Sequence, residues 1–431
     1  MKRISCLFLI ALFVFAAACG APHELNTQNA DWQETDSSET KGEAAFPVPS
    51  FELPEISVPH PLTKQDLDSL PTATAKMTED ELRDVCVRFF ELSGTFQWTP
   101  SDSVSYVNLS NTLSFQRGVV YGGLPYTHSS LSIYSFLDHY DEETGVLDTA
   151  PYKMAFDGAF GNDCADALFW AWARISNTIS FTGTKNMQPA RGCLLLGDYR
   201  YDTSISSFQR LGGTVKICEE NGEQTMFKAY SLLKKADGVV CWNEPNGGHA
   251  MMVIENETVS NADGTVNGDE SRVTVIEQVS SLTPTDQDGV SVLVECGYHN
   301  TVTYSDLFSK RGYLPITIAE LAGTDPVEKA EAILEVAENA DFDTLTAAEL
   351  KTNYRLAKVD FTIQDASGAL LYSWVKNGSE DTMYSVRMSD VLSRAAIRRS
   401  LKGEGPYTLN ITATVGTGET LDVYTGVIAS V

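Results

Sequence analysis

The residue most able to do chemistry in this sequence is Cys164, which stands where a helix is predicted to begin. It follows Asn162 and Asp163, either of which can cap a helix, and it precedes an apolar run that ends near Ile175. Backbone N–H groups and the helix dipole in a first turn favour an anion, so they stabilise the thiolate. Because the thiolate is the nucleophile of cysteine chemistry, we predict that Cys164 attacks a carbonyl group. The alternative is a buried, inert cysteine.

A general base is predicted at His249. This histidine follows Gly247 and Gly248 and opens an apolar segment up to Glu255 that is typical of a buried strand; another strand is predicted at 238–242. The two glycines allow another backbone or a substrate to approach closely. A histidine in this setting can take the proton of a thiol, and the alternative is a hydrogen-bonded core histidine.

The side chain that orients His249 is predicted on the following strand, 272–279. Turn residues at 261–264 favour a hairpin, so this strand returns beside the histidine. A polar group at its end can hold the imidazole. Glu277 and Gln278 point to opposite faces of the strand, so only one of them can do so. We predict Gln278, with Glu277 as the alternative; a third possibility is that both are ordinary strand residues.

The order of these features resembles that of NlpC-type, papain-like cysteine peptidases, over about residues 75–322. In that family a helix-start cysteine is followed by a strand pair whose second member opens with Gly-His, and then by a polar residue on the next strand. Ala and Asp replace the Ser and Gly that follow the cysteine in the family. The matching segments are Asp163-Cys164-Ala165-Asp166, Asp237-Gly238-Val239-Val240, Gly248-His249-Ala250-Met251-Met252 and Val120-Tyr121-Gly122-Gly123.

The resemblance implies an α+β, papain-like domain in which the cysteine helix packs on an antiparallel sheet. It implies cleavage of amide bonds in the stem peptides of peptidoglycan by a triad of Cys164, His249 and Gln278. In such a triad the backbone N–H of the cysteine helps to stabilise the oxyanion. The substrate-binding residues that the resemblance implies are Tyr121, Asp163 and Asp166.

The alternative function is a non-catalytic lipoprotein that binds the cell wall or a substrate on the same scaffold. An amide or acyl transferase with the same triad is a further possibility. The net charge of −27 argues against a nucleic-acid partner, because phosphate binding needs a basic surface. We predict no cofactor and no metal site, since His128 and His139 have no partner motif and are predicted to be surface or loop residues. The predicted partners are peptidoglycan or another peptide, and a membrane.

The N-terminal residues resemble a bacterial lipoprotein signal. Lys2 and Arg3 precede an apolar stretch that is too short for a membrane span, and Ala16-Ala17-Ala18 stands directly before Cys19. This pattern indicates export, cleavage after Ala18 and lipid attachment at Cys19; ordinary cleavage with a free Cys19 is the alternative. The predicted location is the outer surface of a membrane, facing the cell wall or periplasm.

The sequence predicts five segments. A polar and then proline-rich stretch follows the signal peptide and cannot bury enough apolar surface to fold. Helix-favouring residues at 326–337 indicate a connector, and alternating apolar residues from about 358 onwards indicate strands. The predicted segments are a signal peptide at 1–18, a disordered tether at 19–74, the papain-like domain at 75–322, a helical connector at 323–355 and a small all-β, sandwich-like domain at 356–431.

The chain has eight cysteines, and their spacing does not form the regular pattern of a disulfide scaffold. Cys6 leaves with the signal peptide, and Cys19 and Cys164 have the roles given above. The remaining five are predicted to be buried small hydrophobic residues: Cys86, Cys193, Cys218, Cys241 and Cys296.

Overall fold

The computed structural model shows a mixed α+β protein with several sheets. The predicted signal peptide and the predicted lipid attachment site, Cys19, lie outside the residues that it describes. Within those residues, no helix is both long enough and apolar enough to cross a membrane. The structure describes residues 58–108, 111–150, 161–180, 183–202, 204–205, 207–245, 247–287, 290–337, 340–378, 384–401 and 405–428.

The largest sheet is built around four antiparallel strands, β8 Gly238–Asn243, β9 Gly247–Glu257, β10 Arg272–Gln287 and β11 Val290–Thr303. Their β-branched and apolar residues favour strands. The strands β8, β9 and β10 confirm those predicted from the sequence, and β10 extends further than predicted. The other strands of the first half are β1 Gln97–Pro100, β2 Val104–Asn108, β3 Asn111–Phe115, β4 Val120–Gly122, β5 Tyr140–Asp141, β6 Val146–Leu147, β7 Cys193–Leu195 and β12 Leu314–Ile318.

In the described part this sheet has ten strands, in the order β5-β6-β1-β4-β11-β10-β9-β8-β12-β7, and β2 and β3 form a separate hairpin. Helices cover both of its faces. The helices of this half are α1 Lys64–Asp68, α2 Glu79–Thr95, α3 Ile133–Leu137, α4 Cys164–Trp172, α5 Thr214–Asn221, α6 Glu223–Tyr230 and α7 Tyr304–Ser309.

The helix α4, which Cys164 begins, is buried along its whole length. It packs on the face of the sheet to which Gly238 belongs: a Cβ on that glycine would lie 3.0 Å from the Leu168 side chain and 3.1 Å from Trp172. Ala250 lies on the same face, opposite Val240. Small residues in β8 and β9 therefore let a helix that is apolar nearly all round sit close to the sheet.

The helix α5 lies on the opposite face. The Asn243 side chain accepts a hydrogen bond from the backbone N–H of Val215, in α5, at 2.9 Å. Strand residues two apart share a face, so Cys241 and Val239 also point towards the α5 side. The central part of the sheet thus lies between α4 and α5, and successive residues of β8 face the two helices in turn.

The C-terminal part has two sheets that share one hydrophobic core. Alternate residues of its longest strands face that core, as the sequence predicts: Val359, Phe361 and Ile363 are buried. One sheet has the order β13-β14-β17 and the other β16-β15-β18-β19. The elements are β13 Ala332–Leu334, α8 Phe342–Ala347, β14 Glu349–Thr352, β15 Leu356–Gln364, β16 Leu370–Asn377, β17 Ser385–Arg387, α9 Arg394–Ser400, β18 Tyr407–Val415 and β19 Thr420–Ile428.

Two sequence predictions about segment boundaries are wrong. The strong helix predicted at 326–337 is absent from this described range, where Ala332–Leu334 instead pairs with β14. Burial in a sheet outweighs the intrinsic helix propensity of these residues. The predicted tether ends earlier than residue 74, because Leu62 and Leu67 are buried in the main core.

A buried ion pair joins α2 to the strand β8. Arg83 donates to the Asp237 carboxylate at 2.9 Å and to the carbonyl oxygens of Lys235 and Leu321. Thr317 donates to the same carboxylate at 2.6 Å. Burial raises the pKa of Asp237 above its usual range even though Arg83 lowers it.

Substitution of this arginine tests the pair. Arg83→Ala is expected to lower the free energy of unfolding by about 3–5 kcal/mol, because it leaves Asp237 buried without its cation. Guanidinium unfolding followed by circular dichroism measures the change. The matched control is Arg88→Ala on the same helix; Arg88 is exposed, so we expect a change within about 0.5 kcal/mol. Equal losses in the two variants would contradict the assignment.

Candidate active site

Cys164 is the first residue of α4, as predicted, and Asp163 caps the helix. One oxygen of the Asp163 carboxylate, Oδ1, accepts hydrogen bonds from the backbone N–H groups of Ala165 at 2.9 Å and Asp166 at 3.0 Å. The cysteine therefore lies in the turn where a helix favours an anion. It is 2% exposed, so a substrate must displace its neighbours to reach the sulfur.

The second oxygen of Asp163 contacts a histidine. The distance from Asp163 Oδ2 to His128 Nδ1 is 3.2 Å, and the two side chains are 15% and 23% exposed. A carboxylate can only accept, so a neutral His128 in this contact carries its proton on Nδ1, which makes Nε2 the nitrogen that can take a proton. Asp163 thus holds an imidazole at the same end of α4 as the cysteine.

Two chain segments meet at this point, the loop 124–131 and residues 161–164. Backbone hydrogen bonds join them from Thr127 to Asn162 and from Leu131 to Gly161, each at 3.0 Å. Gly161 has a φ of +96°, and a Cβ there would overlap the carbonyl oxygen of Pro125. Only glycine meets both requirements, which explains the residue that precedes the Asn-Asp-Cys sequence.

Gln278 positions these two segments and does not hold His249. Its buried amide nitrogen lies 3.2 Å from the carbonyl oxygens of Leu124 and Pro125 and 2.9 Å from that of Asn162. The prediction that Gln278 orients the imidazole of His249 is therefore wrong. The amide faces the α4 side of the sheet, where it connects the loop to the start of the helix.

Glu277, the alternative, makes the contact with His249. The distance from His249 Nε2 to Glu277 Oε2 is 2.5 Å, and the side chains are 15% and 7% exposed. The amide of Asn300 donates to the other Glu277 oxygen at 3.3 Å. Glu277 lies opposite Met251 in the sheet, which places its carboxylate on the same face as His249.

His249 and α4 belong to opposite faces of the sheet. His249 lies directly opposite Cys241, and cross-strand partners share a face. That face is the one on which Asn243 bonds to α5, whereas α4 packs on the face of Gly238. The structure thus brings His249 to Glu277 on the α5 side of the sheet, whereas the helix that Cys164 begins packs on the other side.

The glycines before His249 have two explanations, and neither is the approach of a substrate that the sequence offered as a possibility. A Cβ on Gly248 would overlap the Thr184 side chain, and Gly247 has a φ of +67°. The approaching group is the chain's own threonine, in the segment that follows α4. Arg311 donates to the Gly247 carbonyl oxygen at 3.4 Å, which further fixes this turn.

Two predicted substrate-binding residues have other contacts. The Tyr121 hydroxyl accepts the backbone N–H of Gln116 at 2.8 Å, and its ring stacks on Trp98 with centroids 4.9 Å apart. It therefore belongs to the aromatic core. Asp166 accepts from Ser130 at 2.7 Å and pairs with Arg355, so its carboxylate is already engaged in the interior.

Four further cysteines of the described part are buried, as predicted: Cys86, Cys193, Cys218 and Cys241. Burial raises the pKa of Cys86 and Cys193 well above the usual range and that of Cys218 to about 12. Such thiols hold their protons at neutral pH and are poor nucleophiles. The side chain of Cys296 lies outside the described residues.

Two surface clefts lie away from these residues. One, of about 410 Å³, is lined by Arg88, Glu91 and His299, and the other, of about 590 Å³, by His139 and Asp148. Neither is lined by Cys164 or His249. Within the described ranges, no group of three or more His, Cys, Asp or Glu side chains is placed to hold a metal ion.

His128 lies in a loop, as the sequence predicts for a residue with no partner motif, but the sequence does not predict its place in the site. The signal that identifies it is the contact with Asp163, which lies 35 residues further along the chain. Asp163 was recognised only as a helix cap and as a substrate ligand. A single N-cap carboxylate has two oxygens, and only the fold shows that the second one faces an imidazole.

Comparisons with known proteins supply no independent assignment. No family model, no curated protein and no solved structure matches this chain. The likeness to NlpC-type peptidases is therefore one of sequence motifs alone.

Proposed function

We propose that this protein is a cysteine hydrolase that cleaves amide bonds, with Cys164 as nucleophile, His128 as general base and Asp163 as the residue that orients the base. The observation that carries the proposal is the double use of Asp163. Its carboxylate caps the helix that Cys164 begins and also contacts His128 Nδ1 at 3.2 Å. A nucleophile, a base and an orienting carboxylate at one helix start have the roles of a catalytic triad.

The reaction proceeds by two acyl transfers. The Cys164 thiol gives its proton to His128 Nε2 while the sulfur attacks the amide carbonyl carbon. The C–N bond then breaks, and the imidazolium returns the proton to the leaving amine, which leaves a thioester on Cys164. Water next gives a proton to His128 and attacks the thioester, and the carboxylic acid product departs as the thiol is restored. Catalytic hydrogen bonds commonly tighten only when substrate is bound, which suits a cysteine that is closed in the free protein.

The substrate class that we propose comes from the motif resemblance: amide bonds in the stem peptides of peptidoglycan, acted on by a papain-like domain. We also propose that the chain is exported and attached to a membrane by lipid on Cys19, facing the cell wall or periplasm. Ala165 and Asp166 replace the Ser and Gly of the family, and Asp166 is engaged with Arg355. Substrate selection must therefore use other residues than the family's pair.

The roles of the two histidines give a sharp test. Cys164→Ser is expected to abolish release of peptide fragments from purified peptidoglycan, and His128→Gln to lower kcat by about 100-fold or more, because general base catalysis is lost. His249→Gln is the matched control, since it changes a similarly half-buried histidine on the other face of the sheet. We expect it to keep kcat within about three-fold. Mass spectrometry of the released fragments measures all three.

The activities of these variants show which part of the proposal is wrong if the expected result is not obtained. A Cys164→Ser protein that digests peptidoglycan as well as wild type would overturn the hydrolase. Loss of activity in His249→Gln but not in His128→Gln would keep the hydrolase and overturn the assignment of the base. Binding of wild-type protein to cell walls without any fragment release would favour the non-catalytic alternative, and ligated products would favour a transferase.

The cysteines provide a second test. Iodoacetamide at neutral pH is expected to label Cys164 at least about ten-fold faster than Cys86, Cys193 or Cys218 in the native protein, because a raised pKa suppresses the thiolate at those three positions. Peptide mapping by mass spectrometry gives the rates. Labelling in guanidinium, where all sites are exposed, is the control. Equal native rates at the four positions would contradict a reactive Cys164.

A further inference from the structure

The C-terminal module, residues 332–428, is joined to the candidate site through Arg355, which lies between β14 and β15. This side chain is 1% exposed. Its guanidinium donates to Asp166 Oδ1 at 3.3 and 3.4 Å and to the carbonyl oxygen of Ser130 at 3.2 Å. It also lies over the rings of Phe169 and Trp170, at 4.0 and 4.3 Å from their centroids. A buried, stacked guanidinium with three such bonds is held in one orientation.

The partners of Arg355 are close in sequence to the two catalytic residues. Asp166 lies in the first turn of α4, two residues after Cys164, and Ser130 lies two residues after His128. The Ser130 hydroxyl also donates to Asp166 Oδ2 at 2.7 Å. A single carboxylate and a single guanidinium therefore connect the segment of the nucleophile to the segment of the base.

The backbone at Ser130 indicates that this connection holds a specific geometry. Ser130 has a φ of +55°, which a residue with a side chain rarely adopts. Its carbonyl oxygen accepts from Arg355 and, at 3.3 Å, from the indole of Trp170. Strained backbone persists only where surrounding contacts determine it, and here those contacts come from α4 and from the C-terminal module.

Arg355 is in turn fixed by the module. Its backbone carbonyl accepts the N–H of Gly416 at 2.8 Å, in the turn between β18 and β19. A Cβ on Gly416 would lie 2.8 Å from Ala173, at the end of α4. Tyr354 donates to the carbonyl oxygen of Glu328 at 2.9 Å. The module is therefore packed against the nucleophile's helix and is more than a spacer attached to it.

From these contacts we infer that the C-terminal module is part of the active enzyme, with Arg355 as a positioning residue that aligns His128 with Cys164 through Asp166 and Ser130. This inference rests on the proposed function. It gives the module a role in catalysis itself, which a connector or a wall-binding domain would not have. Loss of the cation leaves the Asp166 carboxylate buried without its counter-ion, so the first turn of α4 and the Ser130 loop must rearrange.

The test compares two cations of the module in the full chain. Arg355→Met keeps the apolar length of the side chain and removes its charge. Lys358→Met is the matched control, because Lys358 also joins the module to the first domain, at Asp138 and 2.5 Å, away from Ser130 and Asp166. We expect Arg355→Met to lower kcat for peptidoglycan by about ten-fold or more, and Lys358→Met to keep it within about two-fold.

A second readout does not depend on finding the substrate. We expect Arg355→Met to change the rate of Cys164 alkylation by iodoacetamide by about five-fold or more and to move its pH profile, because the thiol and imidazole are no longer aligned. Arg355→Lys keeps the positive charge but lacks the planar guanidinium. We expect it to recover part of the kcat and part of the wild-type alkylation behaviour, and it is the variant to use if Arg355→Met does not fold.

The inference is overturned if Arg355→Met lowers only the melting temperature and leaves both kcat and the pH profile of alkylation at wild-type values. That result would leave the hydrolase intact provided that Cys164→Ser is inactive. If wild type cleaves no amide bond, the proposed function fails, and the alkylation profiles of the same two variants still decide whether Arg355 controls the setting of Cys164.

Discussion

The buried carboxylate of Asp166 is the charge on which the arrangement of the site depends. A carboxylate removed from water is costly unless it is paired and hydrogen-bonded, and here the pairing comes from Arg355 and Ser130. The arginine lies between β14 and β15 of the C-terminal module, and the serine belongs to the loop of His128. Satisfying one acidic side chain therefore requires that three separate parts of the chain meet at the first turn of α4.

The alternation of side chains along a strand decides which residues can act together. The sequence predicts β8, β9 and β10 correctly, because their apolar composition and the hairpin turn before β10 are local signals. It also shows that Glu277 and Gln278 face opposite sides. What it cannot show is which face α4 covers, since that depends on packing between elements far apart in the chain. With the face unknown, Gln278 was assigned to the imidazole, whereas the amide belongs to α4 and Glu277 to His249.

The same limit explains the other differences between sequence and structure. Local chemistry predicts a helix cap at Asn162 or Asp163, and the structure shows the cap at Asp163. A helix at 326–337 is predicted just as firmly from propensity, but pairing of Ala332–Leu334 with β14 outweighs it. The contact of His128 with Asp163 and that of Arg355 with Asp166 join residues far apart in the chain, so the sequence around each residue does not indicate them. Features carried by one element could be predicted, and features created by contact between elements could not.

Asp163 and Asp166 illustrate how a helix start can serve two tasks. Residues three apart in a helix lie near each other, yet the first is the cap, outside the helix, and the second is inside its first turn. The Asp163 carboxylate turns back over the helix end, where it reaches both backbone N–H groups and His128. The Asp166 carboxylate points into the interior, where it accepts hydrogen bonds from Arg355 and Ser130. Exchange of either aspartate for asparagine would keep a polar group of the same shape but remove the charge. Without the charge of Asp163, the His128 imidazole would lose its orienting anion. Without the charge of Asp166, the Arg355 guanidinium would lose its counter-ion. Asp163 and Asp166 thus link His128, the helix that Cys164 begins and the C-terminal module through one turn of helix.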